Sequence, residues 1–265
     1  MKNKVVICVI GTGKYLDYFP KYYENIEKYF LPDSEKTILL FTDGKLNHIP
    51  DNVKVYDQEH LPLPYRNLKK FEIINKAREE ILKHDHFVFL AIDFLVVKEI
   101  PFSRYSFRCC GQNMEQVPFF GVQHPCHYLQ IPPHDKYPGA WDQNIRSEAY
   151  VDFNDDENPV DPNISGQNYL HGSFWGGTIP SALHMIDELE GRVNRDLENG
   201  IIAIENDESH LNKYFIERPF DIKVMPPMYA YHEDLDEQNI ETETHGRIMN
   251  KFIVRLTKDN SNYLQ

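Results

Sequence analysis

Apolar residues come in short unbroken blocks at Val5 to Ile10, Thr37 to Thr42 and Phe87 to Ile92, and such blocks predict strands buried on both faces of a sheet. Between the blocks, apolar positions recur at helical spacing. Pro20 can open a helix in which Tyr23, Ile26 and Phe30 share a face, and Pro32-Asp33 ends it. Asp43-Gly44 stops the second strand, and a third, Val53 to Tyr56, follows. The stretch from Tyr65 to Lys83 then predicts one long helix with Leu68, Phe71, Ile74, Ala77 and Ile81 as its inner stripe. Strands alternating with amphipathic helices over the first hundred residues predict a parallel sheet covered by helices.

Past residue 100 the pattern loosens, with Pro, Gly and aromatics dispersed from Pro101 to Gly166, as in long loops around a rigid sheet. Helical periodicity returns at Ser181 to Arg192 and at Asp207 to Glu217, and Ile222 to Met225 reads as a late strand. No linker or repeat divides the chain. The expected organisation is one α/β domain over 1–265, with a nucleotide-binding half in 1–100 and a sugar- and acceptor-binding half in 101–265.

Hydrophobic residues make up 41% of the 265, which excludes a disordered chain, and no run is long enough for a membrane span. The N-terminus passes straight into the first strand without a cleavage site, so the expected location is the cytoplasm, at most peripheral to the inner membrane. A net charge of -13 argues against nucleic-acid binding, and an anionic ligand must be met by a few placed cations. The acidic runs 152–157 and 233–237 read as solvated loops. Cys8, Cys109, Cys110 and Cys126 form neither metal-ligand pairs nor a disulfide framework.

Several segments carry candidate chemistry. Gly11-Thr12-Gly13-Lys14-Tyr15 follows the first strand, where ligands sit in open α/β sheets, yet it fails both the dinucleotide fingerprint and the P-loop on spacing. Asp93 closes a buried strand, where a carboxylate needs a partner. Nucleotide-sugar enzymes often place Asp-x-Asp there to hold a divalent ion, but Ala91 occupies the first position. One carboxylate is a weak site for Mn2+, so the sequence assigns no metal, and Asp93 is the one candidate ligand. His124-Pro125-Cys126-His127 lacks a clear third zinc ligand, and His124 suits a polar substrate contact at a strand end. His171-Gly172-Ser173-Phe174-Trp175-Gly176-Gly177 suits either a pocket in which a ring packs on backbone or a glycine-rich turn over the core. Finally, Asp207 and Glu208 open a short helix with Leu211, Tyr214 and Phe215 on its apolar face, which places Asp207 near the cap.

Taken in order, these segments resemble glycosyltransferase family 6, the group containing the blood-group A and B transferases and the α-1,3-galactosyltransferases, together with short soluble bacterial members. The markers are Thr12-Gly13-Lys14-Tyr15, Phe41-Thr42-Asp43, Lys69-Lys70-Phe71, Ala91-Ile92-Asp93, Gly121 to Pro125, His171 to Gly177 and, most specific, Asp207 to Tyr214. The resemblance implies a GT-A fold, a Rossmann-like mixed sheet flanked by helices. It also implies transfer of galactose or N-acetylgalactosamine from a UDP-sugar, with retention and in α-1,3 linkage, to an oligosaccharide or glycolipid acceptor.

On matching positions, Thr12 and Tyr15 would contact uridine, and Lys70 would be a basic residue near the donor. His171, Gly172 and Ser173 would sense the donor sugar, Asp207 would bind it, and Glu208 would lie beneath its anomeric carbon. Ala91 and Asp93 mark the diphosphate side, Lys258 of the C-terminal tail would close over it, and His124, Glu205 and Trp175 would face the acceptor. Glu205 and Asn206 stand where relatives carry an aromatic and a His, which alters the acceptor surface. His171 resembles the galactose-selective members, and its bulk points to UDP-galactose. The alternatives are an idle UDP-sugar or glycan-binding module, motivated by Ala91, and a metal hydrolase built on His124, His127, Asp207 and Glu208.

Overall fold

The computed structural model describes residues 2–101, 118–125, 141–152, 169–218, 221–236 and 251–256. Its first strands are β1 (Lys4–Ile10), β2 (Glu35–Thr42), β3 (Val53–Asp57) and β4 (His86–Leu90), all parallel. β1, β2 and β4 are buried on both sides and their side chains divide by the period of two, whereas the edge strand β3 buries Val53 and is otherwise largely exposed. Val5, Ile7 and Val9 enter one core while Val6 and Cys8 enter the other, and Ile38 and Leu40 oppose Leu39 and Phe41 in the same way.

Helix α1 (Phe19–Tyr29), with Pro in its first turn, seals the first core through Tyr22 and Ile26. On the opposite face lie α2 (Tyr65–Leu68), α3 (Lys70–Asn75), α4 (Arg78–Ile81) and the long α5 (Ile179–Glu198). The single helix expected from Tyr65 to Lys83 is therefore three short ones. The backbone leaves helical geometry at Lys69 (ψ 5) and Ala77 (ψ 17), while Leu68, Phe71, Ile74, Ala77 and Ile81 all stay in the core. Burial of that stripe, not continuity of the hydrogen-bond ladder, is what the apolar spacing encodes.

Three more strands extend the sheet: β6 (Phe119–Gln123), β7 (Leu170–Thr178) and β8 (Ile222–Met225). The strand order is β3-β2-β1-β4-β7-β6-β8, with β7 antiparallel to both neighbours. The sheet is thus mixed and flanked by helices, in the GT-A-like arrangement. The segment from His171 to Gly177 belongs to β7 and is not a turn. Gly176 and Gly177 lie where an added Cβ would strike the Phe87 and Pro118 carbonyls at 2.3 and 2.2 Å, so the strands can pair there only without side chains.

Register slips once between β6 and β7. Gly121 faces Trp175 and Gln123 faces Leu170, so two residue steps on β6 are spanned by five on β7. The surplus forms a wide bulge containing His171, Gly172 and Ser173, and bulges re-aim side chains in this way. A second sheet, β5 (Phe94–Val96), β10 (Ile253–Arg255) and β9 (Tyr231–His232), lies beside the end of β4. Helix α6 (Asp207–Ile216) packs Leu211, Tyr214 and Phe215 on the core face shared with α5. Glu233, expected in a solvated acidic loop, is buried. Of the cysteines, Cys8 is buried and free, and the other three lie outside the described residues. No helix among the described residues is long and apolar enough to cross a membrane.

Candidate active site

A cavity of about 320 Å³ opens at the carboxyl ends of β1 and β4, the usual ligand position in an α/β sheet. Thr12 and Tyr15 reach it from the turn after β1, Lys70 from α3, and Ala91 and Asp93 from the turn after β4. His124 enters from the end of β6, the β7 bulge contributes His171, Gly172 and Ser173, and Glu205, Asp207 and Glu208 lie at the entrance to α6. The fold thus gathers residues as far apart in the chain as Thr12 and Arg255 around one space.

The bulge and the start of α6 are bonded to each other. Asn212 accepts the Leu170 N–H at 2.8 Å and donates to the Leu170 carbonyl at 2.9 Å, which fixes α6 against β7. Asn206 takes φ 53 and ψ -125, a positive-φ conformation outside the left-handed helical region and one that favours glycine, and turns the chain into the helix. Asp207 lies next to the cap residue Asn206, as the sequence places it. It lies one position inside the helix and forms a buried ion pair with Lys70. Lys70 also donates to the Gly172 carbonyl at 2.8 Å, and the Gly172 N–H donates to Glu208 Oε2 at 2.6 Å. One residue, Gly172, therefore holds the lysine through its carbonyl and the catalytic candidate through its N–H.

Burial shapes the charge of these acids. It pushes the Glu208 carboxyl up to about 8; the Gly172 N–H opposes the shift, while Asp207 and Glu205 add to it. Asp207 is raised by burial against the pull of Lys70, and Glu205 by burial and the neighbouring Asp207. A low-dielectric carboxyl beside a resident ion pair is poised to ionise when positive charge develops nearby.

The family resemblance raises the question of a divalent ion, and the donors at the end of β4 do not fit one. Ala91 offers no ligand, and Arg255 Nε lies 3.9 Å from Asp93 Oδ2, so the one carboxylate there already faces a cation. A different group could hold a metal: His124, His171 and His232 place ligand atoms within 4.8 Å of one another. The His171 and His232 Nε2 atoms are 2.9 Å apart, and the His124 ring stacks on His171 at 4.6 Å. Imidazole donors suit Zn2+ or Cu2+ more than the hard ions that diphosphates take. The sequence contained no spacing that would join His232 to the other two.

Trp175 departs from expectation. It is fully buried, stacked on Phe87 and Phe89 at 5.3 and 5.5 Å, and its indole N–H donates to the Gly172 carbonyl at 3.2 Å. Without surface it cannot meet an acceptor, so it is a core residue supporting the bulge from behind. Lys258, His127 and Glu237 lie outside the described residues. Sequence reasoning missed Arg66 and Arg255, which also line the cavity. Arg255 became visible only through the pairing of β10 with β5, which sets it opposite Phe94.

Comparison with known proteins agrees with this arrangement. The family model for Glycosyltransferase family 6 matches residues 1–251. The chain is 28% identical over 234 residues to the O-antigen biosynthesis glycosyltransferase WbnI of Escherichia coli, covering 87% of this chain and 89% of that protein. It is 24% identical to histo-blood group ABO system transferase 1 of Rattus norvegicus (86% of this chain, 61% of that protein). It is 22% identical to globoside alpha-1,3-N-acetylgalactosaminyltransferase 1 of Homo sapiens, with 86% and 60% covered. The chain therefore spans most of the bacterial relative and about three fifths of these animal ones. With residues 1–251, nearly its whole length, matched by the family model, this chain belongs to glycosyltransferase family 6.

Proposed function

We propose that the protein transfers galactose, or N-acetylgalactosamine, from a UDP-sugar to a hydroxyl of a glycan acceptor in α-1,3 linkage with retention, on a bacterial surface glycan precursor in the cytoplasm. The observation that carries this reading is Glu208, a carboxyl in the cavity wall bound by the Gly172 N–H at 2.6 Å and flanked by the Lys70–Asp207 pair. Breaking the bond from the anomeric carbon to the diphosphate sends the electron pair out with UDP and leaves an oxocarbenium-like centre. Glu208 would stabilise that centre, or bond to it transiently, before the acceptor oxygen takes the place of UDP and gives up its proton to the departing diphosphate.

Asp207, held by Lys70, would accept hydrogen bonds from donor-sugar hydroxyls. The His171 ring is fixed by His124, His232 and an edge contact with Phe94 at 5.1 Å, so it would crowd a 2-acetamido group, which favours UDP-galactose. Thr12 and Tyr15 would take the uridine, and His124 and Glu205 would face the acceptor.

The test is UDP release from UDP-galactose and UDP-N-acetylgalactosamine across a panel of glycan acceptors, with and without EDTA, for wild type and Glu208→Gln. Turnover that survives EDTA and collapses in Glu208→Gln supports the reading. Equal activity of the variant would refute the role of Glu208. The second reading, an idle UDP-sugar or glycan-binding module, draws on Ala91 and on the nearness of Arg255 to Asp93, and tight UDP binding without any turnover would favour it.

A further inference from the structure

Seven charged side chains face the cavity: the acids Asp93, Glu205, Asp207 and Glu208 and the cations Arg66, Lys70 and Arg255. Acid prevails there, as it does in the whole chain at -13, although the proposed donor brings a diphosphate. The cations differ in how far they are already committed. Lys70 is ion-paired with Asp207 and donates to the Gly172 carbonyl. Arg255 lies 3.9 Å from Asp93 and 3.3 Å from His232 Nδ1. Arg66 contacts Tyr15 alone: its guanidinium carbon lies 5.0 Å from the ring centroid and Nη2 3.4 Å from the hydroxyl. Among the described residues it makes no ion pair.

We infer that Arg66 is the residue that meets the negative charge of the donor's phosphates. The assignment rests on the UDP-sugar reading above. Tyr15 holds the guanidinium in place by its ring without neutralising it, so the planar fork of N–H donors keeps its capacity for two phosphate oxygens. Position agrees with charge. Arg66, on α2, touches the Tyr15 side of the cavity, whereas Lys70, at the start of α3, touches the Gly172–Asp207–Glu208 side. A phosphate meeting Arg66 would therefore lie between the uridine and the sugar. Arginine suits this task where no divalent ion is held, because its charge is permanent and its geometry bidentate.

Calorimetric titration of UDP, UMP and uridine into wild type, Arg66→Met and Arg66→Lys tests the assignment. Arg66→Met should weaken UDP about ten- to a hundredfold, the range for a lost charge-assisted hydrogen bond, and leave uridine nearly unchanged. Arg66→Lys should recover part of the loss as a point charge, and the difference between wild type and Arg66→Met should shrink in high salt. Unaltered UDP affinity in Arg66→Met would overturn the inference, as would equal losses for UDP and uridine, which would mark a contact to the base. If Arg66→Met fails to fold, Arg66→Lys carries the same comparison. Wild type that binds no UDP would sink the donor reading itself, an outcome distinct from a silent variant.

Discussion

Glu208 and Gly172 are joined by a 2.6 Å hydrogen bond from the glycine N–H to the carboxylate, across 36 residues of sequence. The bond ties the helix that carries the proposed catalytic acid to the strand bulge expected to sense the donor sugar. It is also the main local support for the ionised form of a carboxyl that burial raises to about 8.

The first prediction concerns pH. If ionised Glu208 is required, kcat/KM for the donor should rise with pH and level off above about 8, and a profile flat from pH 6 to 9 would contradict the assignment. Stability should move the other way. The folded value lies above the ordinary 4.5, so the folded state holds its proton longer than the unfolded chain. The associated stability is complete below about 4.5 and is lost as pH rises towards 8, at up to about 1.4 kcal/mol per pH unit. Glu208→Gln should flatten that slope in urea unfolding and be more stable than wild type at pH 9.

Gly172→Ala probes the same junction sterically. Its Cβ would stand 3.1 Å from Glu208 Cβ and Oε2 and 3.2 Å from Asp207 Oδ2, so both acids must shift by a few tenths of an ångström. We expect kcat to fall about tenfold, since small misplacements of reacting groups cost rate steeply, with UDP affinity retained. Unchanged kcat would show that the junction tolerates the shift.

Removing the partner of a buried charge should be severe. Lys70→Met leaves Asp207 in a nearly closed site and should cost about 3–5 kcal/mol at pH 8, read by denaturant unfolding. The cost should shrink in acid, where Asp207, already raised by burial, takes up a proton. A loss below about 1 kcal/mol at pH 8 would mean that water reaches the pair.

Trp175 separates core from acceptor. Truncation to Ala should cost about 3–5 kcal/mol of stability, as for other large buried side chains. Trp175→Phe should leave the acceptor KM unaltered. A raised acceptor KM in a stable Trp175→Phe protein would return the residue to the binding surface.

What could be read from the chain follows from which forces act locally. Val5 to Ile10 and Thr37 to Thr42 announced themselves because strands buried on both faces are apolar at every position. The stripe from Leu68 to Ile81 announced its burial but not the breaks at Lys69 and Ala77, which interrupt the ladder without turning the stripe away from the core. Asp207 and Glu208 were legible as a pair, yet only tertiary contact shows that Lys70 pairs with Asp207. Trp175 was misplaced because its neighbours in sequence, His171 to Ser173, leave the strand's alternation at the bulge and it does not. Arg66, Arg255 and His232 belong to no local pattern at all, and pairing between distant segments brings them to the site.

The bulge in β7 has a consequence for how this site can change over time. Pairing resumes at Trp175 opposite Gly121, and the Gly176–Gly177 step locks the strand against its neighbours whatever lies before it. His171 and Ser173 can thus change without re-registering the sheet beneath, while Gly172, hemmed in by Glu208 and Asp207, is the fixed point of the bulge.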